Sequence, residues 1–297
     1  MNAQLPTTAG GARILDLNSG VSLTVNEFGA DTDGSAVLLL HGGAGSRSML
    51  GLAAALAEHV FVLVPTHPGF DGTVRPESLD SAADLAVVYL ELLEALDLTG
   101  VMVIGNSLGG WIASEMAARD TRGRIGALTL LNALGIEPDS EDDLVDVRTV
   151  PPTEIGTLSF VNPALRPDFA SFTDEQRAAA GANQKALAAY AGTTFTHDPE
   201  LRGRLDRVTV PVLVAWGEQD GIAGVKYGQA YADSFADGHF VVIPEAGHFP
   251  HIEQAGRTLG AIGDFVDTVV KPDNAGKPDN AGKPVKAGKP VKAVEPA

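Results

Sequence analysis

With 297 residues, 44% of them hydrophobic, the chain has enough apolar material for one large α/β core or two small ones. A net charge of −17 argues against nucleic-acid binding, which needs clustered Lys and Arg, and zero cysteines exclude disulfides, thiolate catalysis and thiolate metal sites. No basic, apolar leader opens the chain and no apolar run of about 18 residues occurs, so the expectation is a cytoplasmic protein with no membrane partner.

Residues 12–17 and 21–27 read as two strands joined at Asn18-Ser19-Gly20, a hairpin. After a turn cluster at 29–34, Val37-Leu38-Leu39-Leu40 is a buried strand running into His41-Gly42-Gly43-Ala44-Gly45, a loop whose backbone N–H groups can point at a ligand. Ser46 or Ser48 is the expected cap of a helix reaching Glu58. A strand over 60–64 ends at Pro65-Thr66-His67-Pro68-Gly69-Phe70. The helix that follows, 79–96, keeps Leu85, Val88, Tyr89, Leu92, Leu93 and Leu96 on one apolar face.

Val101-Met102-Val103-Ile104 is again a short buried strand, and residues 108–119 have helical composition. Between them stands Gly105-Asn106-Ser107-Leu108-Gly109. So sharp a strand-to-helix turn crowds the residues two before and two after the serine, and both are glycine. It sets the Ser107 hydroxyl at a helix N-terminus, where developing negative charge is favoured. Taken alone, the pentapeptide also fits a Gly-rich phosphate-holding turn, although neither a Walker loop nor Gly-x-Gly-x-x-Gly is present here.

Residues 127–131 continue the βαβα alternation, which calls for a mainly parallel sheet covered on both faces. Regularity then stops. Residues 132–204 hold an acidic piece at 137–146, prolines 151, 152, 163 and 167, and one helical stretch over 173–191. A structureless loop of that length is unusual in a compact domain, so it reads as an inserted cap. Order returns with strands 212–216 and 240–243, a helix over 225–235 between them and a last helix over 255–270. From Lys271 a period-6 repeat carries six Lys against Asp273, Asp279 and Glu295; it cannot bury a core and reads as a disordered, solvated tail. The expected division is 1–132 and 205–270 for the core, 133–204 for the cap and 271–297 for the tail.

Ser107, Asp220 and His248 all fall at the C-terminal ends of predicted strands, where open α/β sheets form their crevices, and in the chain order associated with the nucleophile elbow. A neutral serine needs an imidazole to take its proton, and the imidazole needs a carboxylate to hold its tautomer. Glu218 is an alternative acid, and Asn132, at the end of the preceding strand, holds no carboxylate. His251 reads as a surface or helix-start residue. His41 reads as a loop-shaping hydrogen-bonder, and His59, His67, His197 and His239 as surface residues. Neither His-x-x-x-His nor His-Glu-x-x-His occurs, so no metal and no cofactor is expected.

From about residue 21 to 270 the chain resembles the α/β-hydrolase superfamily. The resemblance implies a doubly wound sheet of about eight strands, with Ser107 as nucleophile, His248 as base and Asp220 as acid. The His41-Gly42-Gly43 loop is similar to the family's oxyanion loop, which implies the N–H groups of Gly43 and Leu108 as donors; Gly42, Asn106 and Phe249 are expected beside the substrate. Phe160, Phe169, Phe172 and Phe249 either line an acyl pocket or form the core of a cap. Thr66 stands where the family's Pro-Asp-x-Pro-Gly loop has Asp. Gly-Asn-Ser-x-Gly-Gly also occurs in meta-cleavage-product hydrolases, which cut C–C bonds, but Ala44-Gly45-Ser46 and Phe249 depart from their longer oxyanion loop and their Trp after the histidine. The reading is a serine hydrolase of a small or medium ester, lactone or related acyl compound; C–C hydrolysis and a non-catalytic receptor on the same fold are the alternatives.

Overall fold

A computed structural model describes residues 11–30, 35–140, 143–168, 170–194 and 196–270; the repeat at 271–297 and Phe169 lie outside the described residues. Eight strands form one sheet in the order β1-β2-β4-β3-β5-β6-β7-β8. The hairpin of β1 (Gly11–Asp16) and β2 (Ser22–Phe28) adds antiparallel strands at one edge. From there β4 (Phe61–Pro65), β3 (Ala36–Leu40), β5 (Val101–Asn106), β6 (Ile125–Leu131), β7 (Val212–Gly217) and β8 (Gly238–Ile243) run parallel.

Every residue of β3 is buried, because helices cover both faces. Leu38 and Leu40 join the layer under α2 (Ala82–Ala95), α3 (Leu108–Arg119) and α7 (Val225–Ala232), while Val37 and Leu39 join the layer under α1 (Leu50–Leu56) and α9 (Ala255–Phe265). That alternation is the period-2 geometry of a strand.

Local chemistry moves several expected boundaries. Neither Ser46 nor Ser48 caps α1: a 3₁₀ turn, Ser46–Met49, precedes it, and the Ser46 amide and hydroxyl both donate to Asp71 Oδ2, at 2.9 and 2.8 Å. Helix α2 begins at Ala82 because Ser81 and Asp84 close a reciprocal capping box. Helix α7 stops at Ala232, three residues early, in a turn where Phe235 N–H reaches the Ala232 carbonyl.

Between β6 and β7 the chain is more regular than its prolines suggest. Pro152 opens α4 (Pro152–Ser159), at the first helical position where a missing N–H costs nothing. The expected helix is α5 (Asp174–Ala191), started by a Thr173–Gln176 capping box, and the short α6 (Arg202–Leu205) leads to β7. Three sets of contacts fasten this connection to the sheet. Leu158 and Ser159, ending α4, offer carbonyls to the N–H groups of Gly221 and His248, at 2.9 and 2.8 Å. Tyr190 Oη donates to the Pro68 carbonyl at 2.8 Å. Arg204 meets both Asp198 and the buried Glu115 of α3, which Arg119 also pairs.

Among the described residues no helix is long and apolar enough to cross a membrane.

The Glu115 cluster makes an asymmetric prediction. A buried ion pair adds little over apolar packing, but an orphaned buried charge is costly. Glu115→Leu is expected to change unfolding free energy by no more than about 1 kcal/mol, and the double variant Arg119→Ala/Arg204→Ala to lose about 3–5 kcal/mol, by urea titration. Similar losses in both would contradict this account of the cluster.

Candidate active site

Ser107 sits between β5 and α3 with φ 56° and ψ −120°, a sparsely populated conformation for a residue with a side chain. Close packing holds it there. A Cβ on Gly105 would lie 2.2 Å from the Gly109 carbonyl oxygen, and one on Gly109 would lie 2.1 Å from that of Leu40. The Ser107 carbonyl accepts the N–H groups of Gly110, Trp111 and Leu134, at 3.0–3.2 Å. The serine is buried but not sealed, at 7% exposure.

His248 follows β8, and its Nδ1 lies 2.8 Å from Asp220 Oδ2. Asp220, after β7, takes the N–H groups of Ile222 and Ala223 on Oδ1, at 2.8 and 3.3 Å, and the Asn132 amide on Oδ2 at 2.7 Å. Glu218, the alternative acid, is exposed and accepts the Glu245 N–H. Two more residues fix the histidine loop: the Ser159 carbonyl takes its N–H, and Asn106 Nδ2 donates to its carbonyl at 3.0 Å.

Behind the His41–Gly43 loop lies a buried pair of histidines. His41 Nε2 accepts the His67 N–H at 3.0 Å, so its proton is on Nδ1, 2.7 Å from the Gly42 carbonyl. His67 donates from Nε2 to the His41 carbonyl at 2.8 Å, and its Nδ1 meets the Tyr89 hydroxyl. The two rings stack with centroids 3.7 Å apart. Burial pushes the His41 pKa down to about 4 and that of His67 well below its ordinary value, so both are neutral. His67 is therefore a fully buried residue, contrary to its expected surface placement. A nonlocal partner, Tyr89, accounts for that. His251 stands at a helix start, one of its two expected placements, on the short α8 (Pro250–Glu253), but it is buried rather than on the surface, and desolvation, outweighing the nearby Ser48 backbone, holds it at about 4.

A cavity of about 290 Å³ opens over Ser107. From the sheet domain it is lined by Gly43, Ala44, Ser107, Ile222, His248, Phe249 and Ile252. The β6–β7 connection supplies the rest of the lining, including Leu134, Val147, Ile155, Phe160, Phe172 and Leu187. Phe160 and Phe249 stack at 4.9 Å, so two of the four phenylalanines singled out in sequence meet face to face and Phe172 joins them on the lining.

The structure thus gathers Gly43, Ser107, His248 and Phe249 around one space, with Asp220 directly behind His248. Three expected residues lie off the lining. Leu108 is buried at the start of α3; Gly42 packs against Ser107 Cβ and Asn106, where an added Cβ would come within 2.8 Å of the serine. Asn106, expected to touch substrate, is fully buried and spends its amide on the Leu131 and His248 carbonyls.

Sequence reasoning missed Asp71 and Asn183. Asn183 of α5, on the cavity wall, exchanges two hydrogen bonds with Asp71, at 2.8 and 3.0 Å, while Asp71 also holds Ser46. Burial favours the protonated acid, but the Asn183 and Ser46 donors outweigh it and keep the Asp71 pKa low. No local pattern pairs residues so far apart in sequence.

Residues 37–261 match the Alpha/beta hydrolase family over most of the chain. The chain belongs to that family. Among curated relatives, the 2-hydroxy-6-oxo-6-(2'-aminophenyl)hexa-2,4-dienoic acid hydrolase of Metapseudomonas resinovorans is 26% identical over 77% of this chain and 85% of its own length. The 2-succinyl-6-hydroxy-2,4-cyclohexadiene-1-carboxylate synthase of Escherichia coli is 29% identical, covering 76% of this chain and 91% of the relative. A thermophilic esterase from Thermogutta terrifontis superposes with a TM-score of 0.68 at 26% identity, over 88% of this chain and all of that one (100%). In this member of the α/β-hydrolase family the buried histidines carry a pH signature.

His41, His67 and His251 are held neutral in the folded state, and unfolding frees them to take up protons near their ordinary value of 6.5. The stability they lend is complete above about pH 6.5 and is lost as pH falls towards 4, by on the order of 3 kcal/mol for each of His41 and His251. The urea midpoint is therefore predicted to drop clearly between about pH 7 and pH 5. A midpoint constant over that interval would contradict the assignment.

Proposed function

We propose that this α/β-hydrolase family member is a serine hydrolase of uncharged, small or medium carboxylic esters or lactones, with residues 133–204 serving as its cap. The observation that carries the reading is the His248 Nδ1 to Asp220 Oδ2 contact of 2.8 Å, with His248 and Ser107 on one apolar cavity.

In this mechanism Ser107 Oγ attacks the acyl carbon while His248 takes its proton on Nε2. Asp220 holds the ring through Nδ1 and stabilises the imidazolium. Negative charge develops on the former carbonyl oxygen. Leu108, at the first position of α3, has no helical carbonyl to receive its N–H, and Gly43 lines the cavity opposite; these two N–H groups are the donors in the reading, each worth about 3–4 kcal/mol. The tetrahedral adduct collapses, the alkoxide leaves with the proton from His248, and the acyl group stays on Ser107. Water, activated by the same histidine, then releases the acid and restores the serine.

The relative from Metapseudomonas resinovorans favours a second reading, C–C hydrolysis on the same residues. Its named substrate is a carboxylic acid, and no Lys or Arg is among the described residues lining this cavity to receive a carboxylate. The lining therefore supports the neutral ester.

The test is hydrolysis of a chain-length series of p-nitrophenyl esters, with the p-nitrophenyl monoester of succinate as charged competitor. Wild type is expected to prefer the neutral esters, and Ser107→Ala to lose about 10⁶ in turnover. Turnover unchanged in Ser107→Ala would overturn the nucleophile assignment. Preference for the charged monoester, or turnover confined to a dienoate, would overturn the substrate class.

A further inference from the structure

Asn132 directly follows β6 and is fully buried. Its Nδ2 donates at 2.7 Å to Asp220 Oδ2, the oxygen that also faces His248 Nδ1 at 2.8 Å. The amide cannot swing away, because Oδ1 accepts the Gly217 N–H at 3.1 Å and the Asn132 N–H is fixed on the Ala215 carbonyl at 3.2 Å. The backbone is left-handed, with φ 46°. Glycine meets that requirement at no steric cost, so backbone shape alone does not call for an amide.

A second donor on one carboxylate oxygen has two effects. It narrows the arc over which the imidazole can bond that oxygen, and it draws off charge that would otherwise stabilise the imidazolium. We propose that Asn132 is a positioning residue for the Ser107–His248–Asp220 machinery, orienting Asp220 and tempering its hold on the His248 proton. The proposal rests on the triad reading given above. Besides Asp220, the titratable groups near His248 are Ser107 across the cavity, His251 on α8 and Glu253, whose carboxylate accepts the Gly247 N–H. None of these groups bonds to the Asn132 side chain; removing it takes away two bonds, the donor to Asp220 Oδ2 and the acceptor for the Gly217 N–H.

The experiment is the pH dependence of p-nitrophenyl butyrate hydrolysis by Asn132→Gly and Asn132→Asp, with active sites counted by fluorophosphonate titration. Asn132→Gly, which unlike Asn132→Asp also removes the acceptor for the Gly217 N–H, keeps the backbone and deletes the donor to Asp220. Per active site its kcat is expected to fall about 10- to 100-fold with KM within about twofold, and the acidic limb of kcat/KM to move up by about half a pH unit. Asn132→Asp preserves shape; it is expected to retain turnover on the acidic side, where its proton still donates to Asp220, and to lose it as pH rises. Wild-type kcat and limb in Asn132→Gly, or a loss fully explained by fewer titratable sites, would overturn the proposal. Asp220→Ala separates it from the reading beneath: if that variant keeps wild-type turnover while Ser107→Ala is inactive, the acid assignment itself has failed. If Asp220→Ala is inactive and Asn132→Gly is not impaired, the role of Asn132 alone has failed.

Discussion

The fit of α3 against the ends of β3 and β5 is the constraint on which the rest of this molecule depends. Ser107 occupies its unfavourable conformation only because backbone packs on backbone: Gly105 against Gly109, and Gly109 against Leu40. Strain of this kind costs about 1–3 kcal/mol and persists where the surroundings over-determine it. Here they do so through three N–H groups that converge on the Ser107 carbonyl. Because Leu40 leads into the His41–Gly43 loop, the contact that sets the serine also sets the loop across from it.

Around that turn the sheet arranges buried polar groups that do not titrate near neutrality. Asn106 ties the elbow to the His248 backbone, and Asn132 ties the next strand to the Asp220 carboxylate. His41 and His67, both neutral, brace the His41–Gly43 loop without adding charge to it. Amides and neutral imidazoles supply donors and acceptors in fixed geometry, and a buried charge at the same places would demand its own partner. The ion pairs with larger charge content, such as Glu115 with Arg119 and Arg204, stand where the β6–β7 connection returns to the sheet, away from the cavity lining.

What was legible in sequence was local. Apolar runs at 37–40, 101–104 and 212–216 fall inside β3, β5 and β7, and the hairpin at Asn18-Ser19-Gly20 joins β1 to β2. The Gly105–Gly109 pentapeptide showed because so sharp a turn demands small residues two before and two after the serine, although the atoms that crowd Gly109 belong to Leu40, outside the motif. Asp220 could be ranked above Glu218 because two residues along a chain leaving a strand change which way a side chain faces. Illegible were the pairings across the fold. His67 and His251 lie in polar-looking stretches and are buried by partners or packing that no neighbour reveals. Asp71 and Asn183 meet across two different elements, and Ser46 is drawn from its expected capping role to the same carboxylate. Asn106 sits inside the motif, yet its direction depends on where the His248 loop returns.

The central claim is that one serine is activated by one histidine. Intact-mass and peptide mapping of the folded protein after treatment with a fluorophosphonate tests it most directly, against His248→Ala as the paired sample. The account predicts a single adduct on Ser107 in the wild type and its loss, or severe slowing, in the variant. An adduct at another residue, no adduct on a folded protein, or equal labelling of Ser107 without His248 would contradict it.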